Sequence, residues 1–201
     1  TDPEGLAARV THTQGESVYE GRLSGVGWQS RVFVDRELPV KAHMLTLKNT
    51  RSKPIRVKIE ACVRWIMGVF REDERYVRRG GGDGLIWARG QIGTAAFMTF
   101  AGENARVEDD RLALEFEIPA GGEKRLELLM GCGHTMGEIR VLVDQWTEKG
   151  GAHYLERTLA FWDERLSRLE IETPDPLFNA AVNRWLPYQV ISARLWGRAG
   201  F

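Results

Sequence analysis

The hydrophobic period of this chain changes once, near residue 132, and that change constrains the fold more than any other feature. Upstream, apolar and polar residues alternate. The clearest run is Leu112-Ala-Leu-Glu-Phe-Glu-Ile118. There Leu112, Leu114, Phe116 and Ile118 fall on one face, and Ala113, Glu115 and Glu117 on the other. The same period runs through residues 30–35, 40–48 and 55–63, with Asn49-Thr-Arg-Ser-Lys-Pro54 as a turn cluster. Pro119-Ala-Gly-Gly122 turns the chain into Lys124–Met130. Several short strands separated by turn signals predict an antiparallel β-sandwich.

Downstream the period is helical. Thr135-x-x-Glu138 is a capping box, and Ile139, Leu142, Val143 and Trp146 follow at helix spacing. Gly150-Gly151 ends that helix. A second helix carries the seam Leu155, Leu159, Trp162, Leu166 and Leu169, with Glu156, Arg157, Asp163 and Glu164 on its polar face. After an extended link, Asp175-Pro176 starts a third helix, Asp as N-cap and Pro at the first turn. That helix is expected to run to about Trp196 and to kink near Asn183, because Pro187 removes a backbone donor and crowds the carbonyl four residues back. It is apolar or aromatic on more than one side, so it is expected to be covered by other protein.

Lys+Arg and Asp+Glu balance at 28 each in 201 residues, which argues against a general nucleic-acid binder. Cys62 and Cys132 lie far apart in apolar strands and read as small buried hydrophobes. No disulfide framework is expected, which fits a reducing compartment. No apolar run reaches the ~20 residues that span a bilayer, and no secretory signal is recognisable. The chain opens at Thr1 rather than Met, so it is expected to be a piece of a longer protein.

Several constellations invite chemistry. Gly131-Cys-Gly-His-Thr-Met-Gly137 mimics a dinucleotide loop, but its last glycine is one position late and no acidic ribose ligand follows. A tight strand-to-helix turn is the expectation. Gly80-Gly-Gly-Asp-Gly84, after Arg78-Arg79, could cradle an anion but reads as a hairpin tip. His12, His43, His134 and His153 are scattered without metal-ligand spacing. Glu115 and Glu117 evoke a glycosidase pair, yet alternation explains them as a solvated face. Seven tryptophans are many for this length. Trp146, Trp162 and Trp185 are expected in the core, while Trp28, Trp65 and Trp87 are open to either role.

The segments Phe161-Trp-Asp-Glu-Arg-Leu166, Thr173-Pro-Asp-Pro176 and Asn183-Arg-Trp-Leu-Pro-Tyr-Gln-Val-Ile-Ser-Ala-Arg-Leu-Trp-Gly-Arg198 resemble glycoside hydrolase family 94, formerly glycosyltransferase family 36. That family holds cellobiose and chitobiose phosphorylases and the phosphorylase-like region of cyclic β-1,2-glucan synthases. The run Asn-Arg-Trp-Leu-x-Tyr-Gln-Val is closest to the synthase branch. Leu47-Lys-Asn-Thr50 and Val63-Arg-Trp-Ile-Met-Gly-Val69 also look like that branch's β domain.

The resemblance implies a mainly β chain with C-terminal helices. Residues 1–132 would be an antiparallel β-supersandwich, 133–174 a helical linker, and 175–201 the first helix of a truncated (α/α)6 barrel. The parent would be an inverting phosphorylase or synthase, with one catalytic Asp in the barrel. One carboxylate suffices because inorganic phosphate, the co-substrate, is itself the nucleophile. Arg198 stands where the family's Arg-Ser-Ala-x-Tyr motif places a phosphate-binding arginine, with Ala199 and Gly200 departing from the pattern. This piece is expected to lack the catalytic Asp and to serve as scaffold, carbohydrate contact and homodimer interface. Expected partners are an oligosaccharide or β-glucan and the rest of the barrel, with no nucleic acid, metal or cofactor. The expected place is the cytoplasm or the cytoplasmic face of the inner membrane. The alternative is a non-catalytic carbohydrate-binding sandwich module.

Overall fold

The computed structural model describes residues 8–67, 77–90, 93–168 and 170–195. Eleven strands precede the helices: β1 Arg9–His12, β2 Glu16–Leu23, β3 Val26–Val34, β4 Val40–Asn49, β5 Ile55–Cys62, β6 Arg78–Gly82, β7 Leu85–Arg89, β8 Ala95–Phe100, β9 Arg106–Glu108, β10 Arg111–Ile118 and β11 Glu123–Gly133. The helical part holds α1 Met136–Lys149, α2 Gly151–Leu166, α3 Pro176–Ala180, a π turn Ala181–Trp185 and α4 Leu186–Leu195. Among the described residues the strands form an eight-stranded sheet in the order β1-β2-β3-β4-β11-β8-β7-β6 and a three-stranded sheet β5-β10-β9. The expected mainly β architecture with C-terminal helices is what forms.

The middle of the large sheet is buried on both faces, which gives three layers there. One face meets the small sheet: Ile86, Met98, Phe100 and Leu126 pack with Ala61, Leu112 and Leu114. The other face meets α1 and α2: Val40, Ala42, Phe97 and Leu129 pack with Ile139, Trp146, Tyr154 and Leu155. Successive side chains on a strand point to opposite faces, so one strand supplies both cores. Trp146 stacks on Tyr154 with ring centroids 4.3 Å apart. Full burial of each ring is worth about 2–3 kcal/mol. Gly131 is required here by close approach, since a Cβ there would lie 2.5 Å from the Pro39 carbonyl oxygen.

Polar groups fix the layers in register. Asn49, fully buried, donates from Nδ2 to the carbonyls of Ile118 (3.0 Å), Pro119 (3.0 Å) and Lys53 (2.9 Å), and its Oδ1 accepts from Arg51 N at 2.9 Å. It thereby ties the end of β4 to the end of β10. On the other face, Glu127 accepts from Trp146 Nε1 at 2.7 Å and from Gly151 N at 3.0 Å, which seats the α1–α2 corner on β11.

The helix boundaries follow local chemistry. Thr135 Oγ1 accepts from Glu138 N at 3.1 Å, as the capping box requires. The Glu138 carboxylate reaches one residue further back than expected, to His134 N at 2.8 Å. Gly150 ends α1 at φ 77°, a conformation costly for a residue with a Cβ. Asp175 caps α3 by accepting from Leu177 N and Phe178 N, with Pro176 in the first turn. The kink expected at Asn183 takes the form of the π turn centred on that residue. Widening the helix there relieves the clash between the Pro187 ring and the preceding turn.

Two expectations need correction. Cys62 is exposed rather than buried, because β5 alternates Ile55, Val57, Ile59 and Ala61 inward with Arg56, Lys58, Glu60 and Cys62 outward. Trp185 is 38% exposed and outside the core, touching Tyr188 edge-on with centroids 6.1 Å apart. Leu177 (80% exposed), Val190 (62%), Leu186 (53%) and Phe178 (50%) share its exposure. Leu169 and Trp196 lie outside the described residues.

Candidate functional site

Among the described residues, several grooves open on the helix-side face of the large sheet. The first, about 600 Å³, runs between α2 and the β2–β4 surface, walled by Met44, Leu159 and Trp162, with Arg31 and Arg184 at its polar ends. Arg31 on β3 holds Glu16 on β2 through two hydrogen bonds of 2.8 Å each. The hydrogen bond to Glu16 outweighs partial burial and raises the Arg31 pKa, so this guanidinium is a fixed cation.

A latch closes one end of this face. Asp35, in the β3–β4 loop, is fully buried at its side chain. Its Oδ1 accepts from Glu37 N (3.0 Å) and Leu38 N (2.7 Å), and from Arg157 Nη2 of α2. Arg157 Nη1 also donates to Glu37 at 2.7 Å, and the guanidinium lies 5.2 Å from the Tyr154 ring centroid. Burial pulls the Arg157 pKa down, but the Asp35 hydrogen bond and the charges of Asp35 and Glu37 leave it raised. Arg157, expected on a solvated helix face, is instead half-buried and holds the helix layer to the sheet.

The terminal helix is clamped at its start. Asn183 exchanges two hydrogen bonds with the backbone of Ile171, 2.9 Å to its N–H and 2.8 Å to its carbonyl. Asn179 does the same with Thr173, at 3.0 Å and 2.8 Å. Arg184 donates to Asp163 at 3.1 Å and stands 3.6 Å from Glu170. Tyr188 packs on Trp162 at 4.6 Å between centroids. The helix is thus held firmly in direction while Leu177, Phe178, Leu186 and Val190 stay outward.

The second groove, about 760 Å³, continues the same sheet face beyond the helices. The register stacks two polar rows there: Arg22, Gly27, Lys48 and Glu123 in one, Glu20, Gln29, Thr46 and Arg125 in the next. Arg9 on β1 sits opposite Glu20. The face is therefore apolar under α1 and α2 and polar past them.

The residues singled out from sequence distribute as follows. Arg198 lies outside the described residues. Gly80–Gly82 belong to β6, and Asp83 and Gly84, both at positive φ, make the two-residue turn into β7, so that segment is a hairpin. Gly131–Gly133 end β11 two residues before α1, the tight strand-to-helix turn. Among the described residues no three His, Cys, Asp or Glu side chains gather to hold a metal. Glu115 and Glu117 are exposed and stand opposite Lys58 and Arg56 on β5, a charged outer face. Trp146 and Trp162 are core, as is Trp65, while Trp28 and Trp87 are partly buried beside the cores. Sequence reading missed Asp35, Glu16 and Asn179, and it named Asn183 as a kink position and motif residue without its bonds to Ile171. Glu127, a lone carboxylate within Leu126-Glu-Leu-Leu-Met130, was the one structural anchor whose setting could have drawn notice.

A two-sheet antiparallel sandwich that feeds into helices docked on its larger sheet defines a supersandwich architecture. Comparison with known proteins makes this specific. Residues 3–79 match the family model of the glycosyl hydrolase 94 supersandwich domain. The chain is 30% identical, over 45% of its length, to the cyclic β-(1,2)-glucan synthase NdvB of Rhizobium meliloti, of which the match covers 3%. It is 29% identical, again over 45% of its length, to a 3-O-β-D-glucopyranosyl-β-D-glucuronide phosphorylase of Paenibacillus borealis, covering 12% of that protein. Among solved structures, one assigned as a kojibiose phosphorylase, from the human microbiome, shares the fold. The superposition has TM-score 0.60 and 10% identity, and covers 89% of this chain and 27% of the other. Residues 3–79, the first part of the β region, resemble a glycosyl hydrolase 94 supersandwich domain. The match spans between 3% and 12% of the length of these curated relatives.

Proposed function

We propose that this chain is the non-catalytic part of a carbohydrate-active enzyme, an inverting β-glycoside phosphorylase or a cyclic β-glucan synthase. Residues 1–132 serve as scaffold and carbohydrate contact, 133–174 as linker, and 175–201 as the opening helix of an (α/α)6 catalytic barrel. The observation that carries this reading is the terminal helix. Its start is clamped by Asn179, Asn183 and Arg184, while Leu177, Phe178, Leu186 and Val190 remain exposed. An exposed apolar patch on a rigidly aimed helix is a surface prepared for more protein.

The relatives' names support the chemistry. In a phosphorylase the attacking group is phosphate, so the enzyme needs one general acid rather than two carboxylates. On this reading the acid belongs to the barrel, and Arg198 is a fork for phosphate oxygens. A β-glucan or oligosaccharide is the partner, the assembly is a homodimer, and no metal or cofactor takes part. No described helix is long and apolar enough to cross a membrane. The proposed place is the cytoplasm or the cytoplasmic face of the inner membrane.

The test is to incubate the chain with inorganic phosphate and β-1,2- or β-1,4-gluco-oligosaccharides and to assay sugar 1-phosphate. None is expected, and appreciable release would overturn the non-catalytic assignment. The second reading, a self-sufficient sugar-binding module, is favoured by the polar groove over β2–β4. Oligosaccharide titration followed by tryptophan fluorescence tests the sugar contact common to both readings; light scattering with and without residues 176–201 separates them, since an unchanged association state favours the self-sufficient module.

A further inference from the structure

The polar groove past the helices carries an uneven charge. Of its acids, Glu20 stands 4.0 Å from Arg9 and accepts from Gln29 at 3.3 Å, and Glu123 accepts from Arg125 at 2.8 Å. The cations Arg22 and Lys48 are exposed and have no ion-pair or hydrogen-bond partner among the described residues. They occupy the same register row on β2 and β4, each directly opposite Gly27 on the strand between them. Two strand spacings separate their backbones by roughly 10 Å. Gly27 raises no side chain between them, and a Cβ built there would meet nothing closer than 3.9 Å. The gap is therefore not explained by packing. Two long cationic side chains can lean over it towards one anionic group, while Gln29 and Thr46 in the adjoining row offer donors and acceptors suited to hydroxyls.

We infer that this face binds a sugar chain bearing an anionic substituent, a carboxylate or a phosphate, between Arg22 and Lys48 over Gly27. The inference deepens the carbohydrate-contact part of the proposed function and rests on it. Arg22 and Lys48 hold the charge, and Gln29 and Thr46 hold the adjoining sugar ring.

The experiment is a calorimetric titration of the whole chain with three probes: a glucuronate-containing oligosaccharide, its neutral gluco-oligosaccharide counterpart, and inorganic phosphate. Tighter binding of the acidic sugar than of either other probe is expected, weakening as salt rises from about 0.05 M to about 0.5 M. Arg22→Ala and Lys48→Ala should each weaken it roughly five-fold, and the double variant more than ten-fold, since each exposed charge contact is worth about 1 kcal/mol. Lys41→Ala, a charge removal on β4 in a different register row, should leave it unchanged. Equal binding of neutral and acidic sugars that ignores Arg22 and Lys48 would overturn this inference yet leave the carbohydrate reading intact. Absence of any sugar binding would sink both. Phosphate binding as tightly as the acidic sugar would show an anion site without sugar recognition and would also overturn it.

Discussion

Replacing Asp35 with alanine should loosen the attachment of α2 to the sheet and destabilise the whole chain by about 3–4 kcal/mol. Two backbone amides, of Glu37 and Leu38, would lose their acceptor, at about 1 kcal/mol each. Arg157 would lose its main counter-charge. Stripping a partner from a fully buried pair costs about 3–5 kcal/mol, but the Arg157 side chain is 26% exposed and retains Glu37, so about 1–2 kcal/mol is the appropriate share. The sum corresponds to a fall in melting temperature of roughly 6–16 °C for a domain of this size. Urea unfolding followed by fluorescence measures it. Arg157→Met keeps the side-chain stem beside Tyr154, so a cycle with Asp35→Ala isolates the charge contact, with about 1–2 kcal/mol of coupling expected. A loss below about 1 kcal/mol for Asp35→Ala, or strict additivity in the cycle, would show that the latch does not hold the layers together.

Three further outcomes follow from the geometry. Asn49→Ala should cost about 2–4 kcal/mol, because it strips a donor from the Ile118 and Pro119 carbonyls and opens a void between the sheets. Equilibrium unfolding checks this, and Asn49→Asp should not restore the loss, since a carboxylate donates nothing. The His43 pKa is lowered by burial and by the charge of Lys41. Its contribution should be fully present above about pH 6.5 and should fade as pH falls through the lower folded value; His43→Gln should flatten the melting temperature across that range. Pro187→Ala should let the π turn relax to α-helix, rotating α4 by about one residue, roughly 100°. The measurable sign is loss of the Trp162–Tyr188 contact, read as a change in tryptophan emission.

What the sequence disclosed followed from how uniform each segment's surroundings are. Strand β10 faces a core on one side and water on the other, so its alternation is plain. The terminal helix start was equally legible, because Asp175, Pro176 and Pro187 act on their own backbone. Strand β8 defeats periodicity because Phe97 enters one core while Met98 and Phe100 enter the other. Strands β1 and β6 lack a signal for the opposite reason: all four residues of β1 are exposed, and β6 is arginine and glycine. Arg157 read as a solvated charge because its partner Asp35 lies 122 positions away. Arg22 and Lys48 carry no local mark either, since only the pairing of β2, β3 and β4 brings them into one row.

The reciprocal bonds from Asn179 and Asn183 to the stretch before Asp175 decide where such a chain can be cut and rejoined. Thr173 and Ile171 precede the helix start, and the two asparagines follow it, so a chimera spliced at residue 174 would take the two halves of each bond from different parents. Splices placed in the corner at Gly150 instead would carry α2, the link and the terminal helix across together. Exchanges between relatives should tolerate that seam far better, even though it lies well inside the helical region.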